Sequence, residues 1–112
     1  MSYDVYLRGC YGCGDCPSCH AAESELDRNY TYNVGPMIHD ACGSGPNEWH
    51  GKPANEVASI ISKGLEKMRA DPAKYEAMNP ANGWGDFEGC KNFLGEIQDE
   101  CQRYPKAFFA SH

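Results

Sequence analysis

No apolar run in this sequence approaches the roughly 20 residues needed to cross a bilayer, so no membrane partner is expected. The opening stretch, MSYDVYLRG, has neither a basic start nor an apolar core, so no secretory signal is expected and the expected compartment is the cytoplasm. Positive charge is scarce. Ten Lys and Arg face sixteen Asp and Glu, for a net charge of −6, which disfavours a phosphate-binding surface and makes nucleic acid an unexpected partner. The acidic residues are dispersed, with no single-sign block, and read as support for solubility and not as a DNA-mimicking surface. There is no phosphate-cradling P-loop, no G-x-G-x-x-G and no G-x-S-x-G. Internal repeats and low-complexity tails are absent too, and the expectation leans away from an enzyme.

Cysteine is what the chain has in excess. Seven cysteines stand among 112 residues, and four of them fall in CYGCGDCPSCH, the stretch from Cys10 to His20. Cys10, Cys13, Cys16 and Cys19 share one spacing, C-x2-C-x2-C-x2-C, with His20 directly after the last. The other three, Cys42, Cys90 and Cys101, are scattered among apolar positions, unlike the spread pattern of a disulfide scaffold. In a reducing compartment a tight cysteine cluster more often holds metal.

Each half of the stretch looks like a zinc knuckle. Two thiolates must reach one ion at about 2.3 Å, and two intervening residues let the chain turn around it. Gly12 and Gly14 suit such turns because glycine accepts positive φ. Zinc ribbons, however, separate their knuckles by roughly 12–20 residues, whereas only Gly14 and Asp15 stand between these two. One ion with all four thiolates therefore requires a sharp fold-back, with His20 as a reserve ligand. Four thiolates close the coordination sphere, so a structural ion fits better than a catalytic one. An iron–sulfur cluster is the competing reading. The ferredoxin run C-x2-C-x2-C-x3-C-P matches through the third cysteine, but the fourth then comes one residue early and Pro17 follows the third. Disulfides or free thiols are the remaining alternative.

The pattern of the rest predicts an α+β domain. Tyr3, Val5 and Leu7 alternate with polar neighbours, which predicts a strand over 3–8. NYTYNV (29–34) has the composition of a second short strand. Pro36 suits the first turn of a short helix that Gly43 ends. A second helix starts at Pro53, with Val57, Ile60, Ile61, Leu65 and Met68 on one stripe and Gly64 placed to let a neighbour come close. Asp71 and Pro72 open a short helix to about Met78. The third main helix carries Phe87, Cys90, Leu94, Ile97, Cys101 and Tyr104 at steps of 3, 4, 3, 4, 3, with Asp86 as its cap. KAFFAS (106–111) closes the chain as a strand. The expected fold is one domain over 1–112: a small antiparallel sheet from the N- and C-terminal strands, packed against about three helices. The Cys-rich metal loop, 10–20, is inserted after the first strand.

Two other places carry candidate chemistry. In NGWGDFEG (82–89), a helix start beside Trp84 offers N–H groups for a ligand, although Asp86 and Glu88 place negative charge there. The competing reading is a structural corner in which Trp84 plugs the core and Asp86 caps the helix. If YTYN meets this corner, Asn33, Trp84 and Asp86 would line a small-molecule or nucleotide pocket. His39 and Cys42 are three apart on a helix, a weak catalytic pairing with no orienting partner. Cys90 and Cys101 sit on an apolar stripe and read as core thiols.

NYTYNVGPM, LEKMRADPAKYEAMNPANGWGDFEG and the closing CQRYPKA resemble a group of small uncharacterised proteins encoded by phages of actinobacteria and their relatives. The resemblance covers roughly residues 29–107, and YDVYL near the N-terminus also fits. It implies a small α+β domain and a phage-borne accessory protein, with no reaction attached. It also implies that the cysteine stretch is a variable insertion between the first strand and NYTYN. The functional expectation is a zinc-stabilised accessory protein that binds a host protein, inhibiting a host enzyme or defence system. The alternatives are a small-molecule or nucleotide binder and an iron–sulfur redox protein.

Overall fold

The computed structural model describes residues 2–10, 27–80, 83, 85–105 and 107–111. Three strands form one antiparallel sheet: β1 (Ser2–Cys10), β2 (Asp27–Thr31) and β3 (Ala107–Ser111), in the order β2-β1-β3. The N- and C-terminal strands pair as expected, with Val5 opposite Ser111 and Leu7 opposite Phe109. β1 is the central strand, and β2 runs against its other edge with Tyr3 opposite Tyr30. The β1–β3 register slips between Arg8 and Cys10, a bulge that lets β1 continue through Cys10 instead of ending at residue 8. β2 begins earlier than residue 29 and ends at Thr31, because a 3-10 turn over Tyr32–Val34 leads straight into the first helix.

Four α-helices are described, against about three expected in the layer on the sheet: α1 (Gly35–Cys42), α2 (Ala54–Ala70), α3 (Pro72–Glu76) and α4 (Phe87–Arg103). α3 is the short helix expected from Asp71 and Pro72; it ends at Glu76, short of Met78, and at its cap Lys74 N–H donates to Asp71 Oδ1. α1 ends at Gly43, whose φ of 78° is the left-handed conformation glycine adopts without strain. Its N–H then reaches the His39 carbonyl at 2.9 Å.

The helices cover the sheet face that bears Tyr3, Val5 and Leu7. The α4 stripe is buried at Phe87, Cys90, Leu94, Ile97 and Cys101, while Tyr104 is half-buried. Phe93 extends this stripe sideways and stacks on the sheet, 6.4 Å from Tyr3 and 5.4 Å from Tyr30 between ring centroids. α2 buries Val57, Ile61, Leu65 and Met68, and leaves Ile60 at the margin. Gly64 is also buried. A Cβ there would fall well inside contact distance of Cys42 Sγ, so the missing side chain is what lets α1 lie against α2. No helix among the described residues is long and apolar enough to cross a membrane.

Among the described residues the largest fully buried side chain is Trp49, in a connection whose sequence, NEWHGKP, shows no apolar period. Its indole meets Phe109 edge-on at 5.9 Å, and Nε1 donates to Ser44 Oγ at 2.7 Å. The segment around it closes the outer edge of β3. Gly51 N–H donates to the Phe109 carbonyl at 2.8 Å, and Phe109 N–H donates to the Lys52 carbonyl at 2.9 Å. The sheet edge is therefore capped by a loop, a common protection against edge-to-edge pairing.

Candidate functional site

Of the expected metal ligands, Cys13, Cys16, Cys19 and His20 lie outside the described residues. Cys10 stands at the end of β1, where its backbone pairs with Ala107. The sheet therefore delivers the first cysteine of the run at a strand terminus just past a bulge. Among the described residues no group of three or more His, Cys, Asp or Glu is arranged to hold a metal ion.

The three described free thiols are of the opposite kind. Cys90 and Cys101 are fully buried, and burial pushes each thiol from 9.0 up to about 12. Cys42 is pushed by burial to about 11, partly countered by the Lys67 charge. Thiols held protonated in apolar surroundings are poor nucleophiles and poor ligands. The His39–Cys42 pair of the sequence separates in space. His39 leans over Gly45 and faces Glu48 at 3.5 Å, whereas Cys42 Sγ points at Gly64 of α2.

Two consequences of those thiols are measurable. Alkylation of the folded protein at pH 8, read by peptide mass, leaves Cys90 and Cys101 unmodified until denaturant is added. Rapid labelling of either in the folded state would contradict their burial. Their raised values also favour the neutral form in the fold, so the stability they contribute is complete below pH 9.0 and is lost as pH rises towards about 12. Tyr75 acts in the same direction, since burial and the Asp40 carboxylate push its phenol to about 12. Thermal unfolding should therefore move to lower temperature above about pH 9.

The NGWGDFEG corner does meet the YTYN segment. Asp86 N–H donates to the Tyr30 hydroxyl at 3.1 Å, across 56 residues of sequence. Burial raises the Tyr30 phenol above its ordinary value, and a hydrogen bond to the Asp86 backbone opposes the shift. Gly89 makes the approach feasible, because a Cβ at that position would collide with the Tyr30 hydroxyl. Three of the helix-start donors are engaged. Phe87 N–H donates to Asn79 Oδ1 at 2.8 Å, Gly89 N–H to Asp86 Oδ1 at 2.6 Å, and Cys90 N–H to the Asp86 carbonyl at 2.9 Å. Asp86 is thus the cap of α4, in the extended conformation that caps adopt. Asn33 is exposed, and Trp84 lies outside the described residues. Asp86 stands at the corner, where its Oδ1 and carbonyl hold the helix start and its N–H is held by Tyr30.

A tie that the sequence does not suggest joins α1 to α3. Tyr75, stacked on Phe87 at 6.1 Å, donates its hydroxyl to Asp40 Oδ2 at 2.8 Å. Lys74 Nζ reaches the same oxygen at 2.8 Å. Hydrogen bonds from Lys74 and then Tyr75 hold the Asp40 carboxyl below its usual range. The donor and acceptor are 35 residues apart, so no local spacing signals the pair.

No family model, curated protein or solved structure matches this chain.

Proposed function

We propose that the protein is a zinc-stabilised binding protein of phage type, and that it acts by engaging a host protein, either an enzyme or a defence component. The observation that carries this reading is the run Cys10, Cys13, Cys16, Cys19 at one repeated spacing, followed by His20. Thiolates two residues apart are suited to sharing a tetrahedral ion. The stretch has few apolar residues of its own, and an ion would supply the folding energy that a core cannot. Elsewhere, reactive side chains serve the fold: Asp86 caps a helix, Asp40 ties Tyr75, and Cys90 and Cys101 are buried. An acidic surface with no nucleotide motif favours a protein partner over nucleic acid. The zinc-organised loop is the contact surface in this reading.

Cys13→Ser tests it. The variant should lose most of its bound zinc and lose amide protection over residues 10–20, while the helical core keeps its protection. A host protein retained by the wild type should be released by Cys13→Ser and by chelator in parallel with the zinc. Full metal content and an unchanged exchange pattern in the variant would overturn the zinc loop. A partner held equally with and without zinc would place the contact surface elsewhere. The iron–sulfur alternative differs in colour, because such clusters absorb visible light and zinc does not.

A further inference from the structure

We infer that His50 is a pH-sensitive latch on the outer edge of β3. Along this edge, beyond Ala107 whose N–H donates to the Tyr104 carbonyl at 3.0 Å, the outward backbone donors of β3 are those of Phe109 and Ser111. Phe109 N–H is met by a carbonyl, that of Lys52, at 2.9 Å. Ser111 N–H, the next outward donor, is met by a side chain instead: it donates to His50 Nδ1 at 3.1 Å. The imidazole continues the ladder by one bond. Ser111 Oγ donates to Asn47 Oδ1 at 2.9 Å, so both polar ends of this buried serine depend on the 47–52 segment.

The bond constrains the ring. To accept at Nδ1, the imidazole must be neutral, with its proton on Nε2. A protonated ring carries N–H at both nitrogens and faces Ser111 donor to donor. Imidazole is the side chain that changes charge between about pH 5 and 8, so the last bond of the edge is the one that acid removes. On the covering segment, Glu48 faces His39 at 3.5 Å and Lys52 faces Glu56 of α2 at 3.4 Å. The β3 residues AFFAS carry no charged side chain. On β1, Val5 lies opposite Ser111, with Asp4 and Tyr6 the adjacent titratable residues. The protonated state therefore releases the end of β3 and exposes a backbone donor at a sheet edge, while the Gly51–Phe109 and Lys52–Phe109 bonds hold the rest.

Titration of isotope-labelled protein by NMR from about pH 7.5 to about pH 5 tests this directly. The His50 ring and the Ser111 amide should shift with a common midpoint. Ser111 amide protection should fall about tenfold in acid, the scale of one hydrogen bond, with Gly51 protection unchanged. The common midpoint should survive in His112→Gln, which removes the titrating chain neighbour. In His50→Phe the Ser111 amide should exchange fast at every pH. A His50 ring that titrates while Ser111 keeps its shift and protection, or a midpoint that follows His112, would overturn the latch. A His50 ring that stays neutral down to pH 5 would overturn it as well.

Discussion

Trp49→Ala should cost about 3–5 kcal/mol of folding stability. That is a large share of the roughly 5–15 kcal/mol by which domains of this size are stable. Three losses combine. The indole is fully buried, so its removal leaves a cavity in the core and forfeits its transfer free energy. The edge-on contact with Phe109 goes, a geometry worth about 0.5–1.5 kcal/mol beyond area. Ser44 Oγ loses the Nε1 donor. Trp49 also anchors the segment that covers the β3 edge, so the amides of Phe109 and Gly51 should exchange faster in the variant. Trp49→Phe, which keeps most of the apolar volume, should cost clearly less. Equilibrium urea unfolding measures both. A loss below about 1 kcal/mol for the alanine variant, within the range of ordinary surface changes, would contradict the placement of this side chain.

Gly64→Ala should destabilise the protein by about 1–3 kcal/mol, although alanine is the better helix former. In an exposed helix the same change would stabilise by roughly 0.8–1 kcal/mol. The sign reverses because the new methyl group would overlap Cys42 Sγ, and the Cys42 backbone behind it leaves little room to retreat. Removing the sulfur should relieve the overlap. In Cys42→Ala the nearest remaining atoms, Cα and Cβ of residue 42, lie at 3.4 Å from the added methyl group, an ordinary contact. Gly64→Ala made in the Cys42→Ala background should therefore be neutral or stabilising. The cycle should show a coupling of about 0.5–3 kcal/mol, as touching residues do. Additive costs would mean that α1 and α2 do not meet at this point.

Much of the frame was legible in the sequence, and the reasons differ by element. The one-sided spacing from Phe87 to Cys101 marks α4, and Asp86 marks its start, because periodicity and capping are local signals. The approach of a neighbour at Gly64 was readable too, since a glycine on an apolar stripe has no other local use there. The long-range ties were not legible. Trp49 sits among polar neighbours, and its burial is decided by Phe109, sixty residues away along the chain. The Tyr30 hydroxyl reaches Asp86 across 56 residues, and Tyr75 reaches Asp40 across 35. His50 carries no sequence signal because its role depends on where β3 ends. NYTYNV has strand composition throughout, yet pairing with β1 stops at Thr31 and the chain turns into α1. The metal motif is legible only in sequence, through the spacing of four cysteines of which three lie outside the described residues.

Elemental analysis of protein purified without oxygen or added metal, with a visible spectrum of the same sample, tests the central claim most directly. The account predicts about one zinc per chain, bound by the thiolates of the run, and a colourless solution. Iron with sulfide and a brown colour would contradict it and make electron transfer the leading function. Protein free of metal, with the thiols of Cys10, Cys13, Cys16 and Cys19 reduced or paired as disulfides, would contradict it equally.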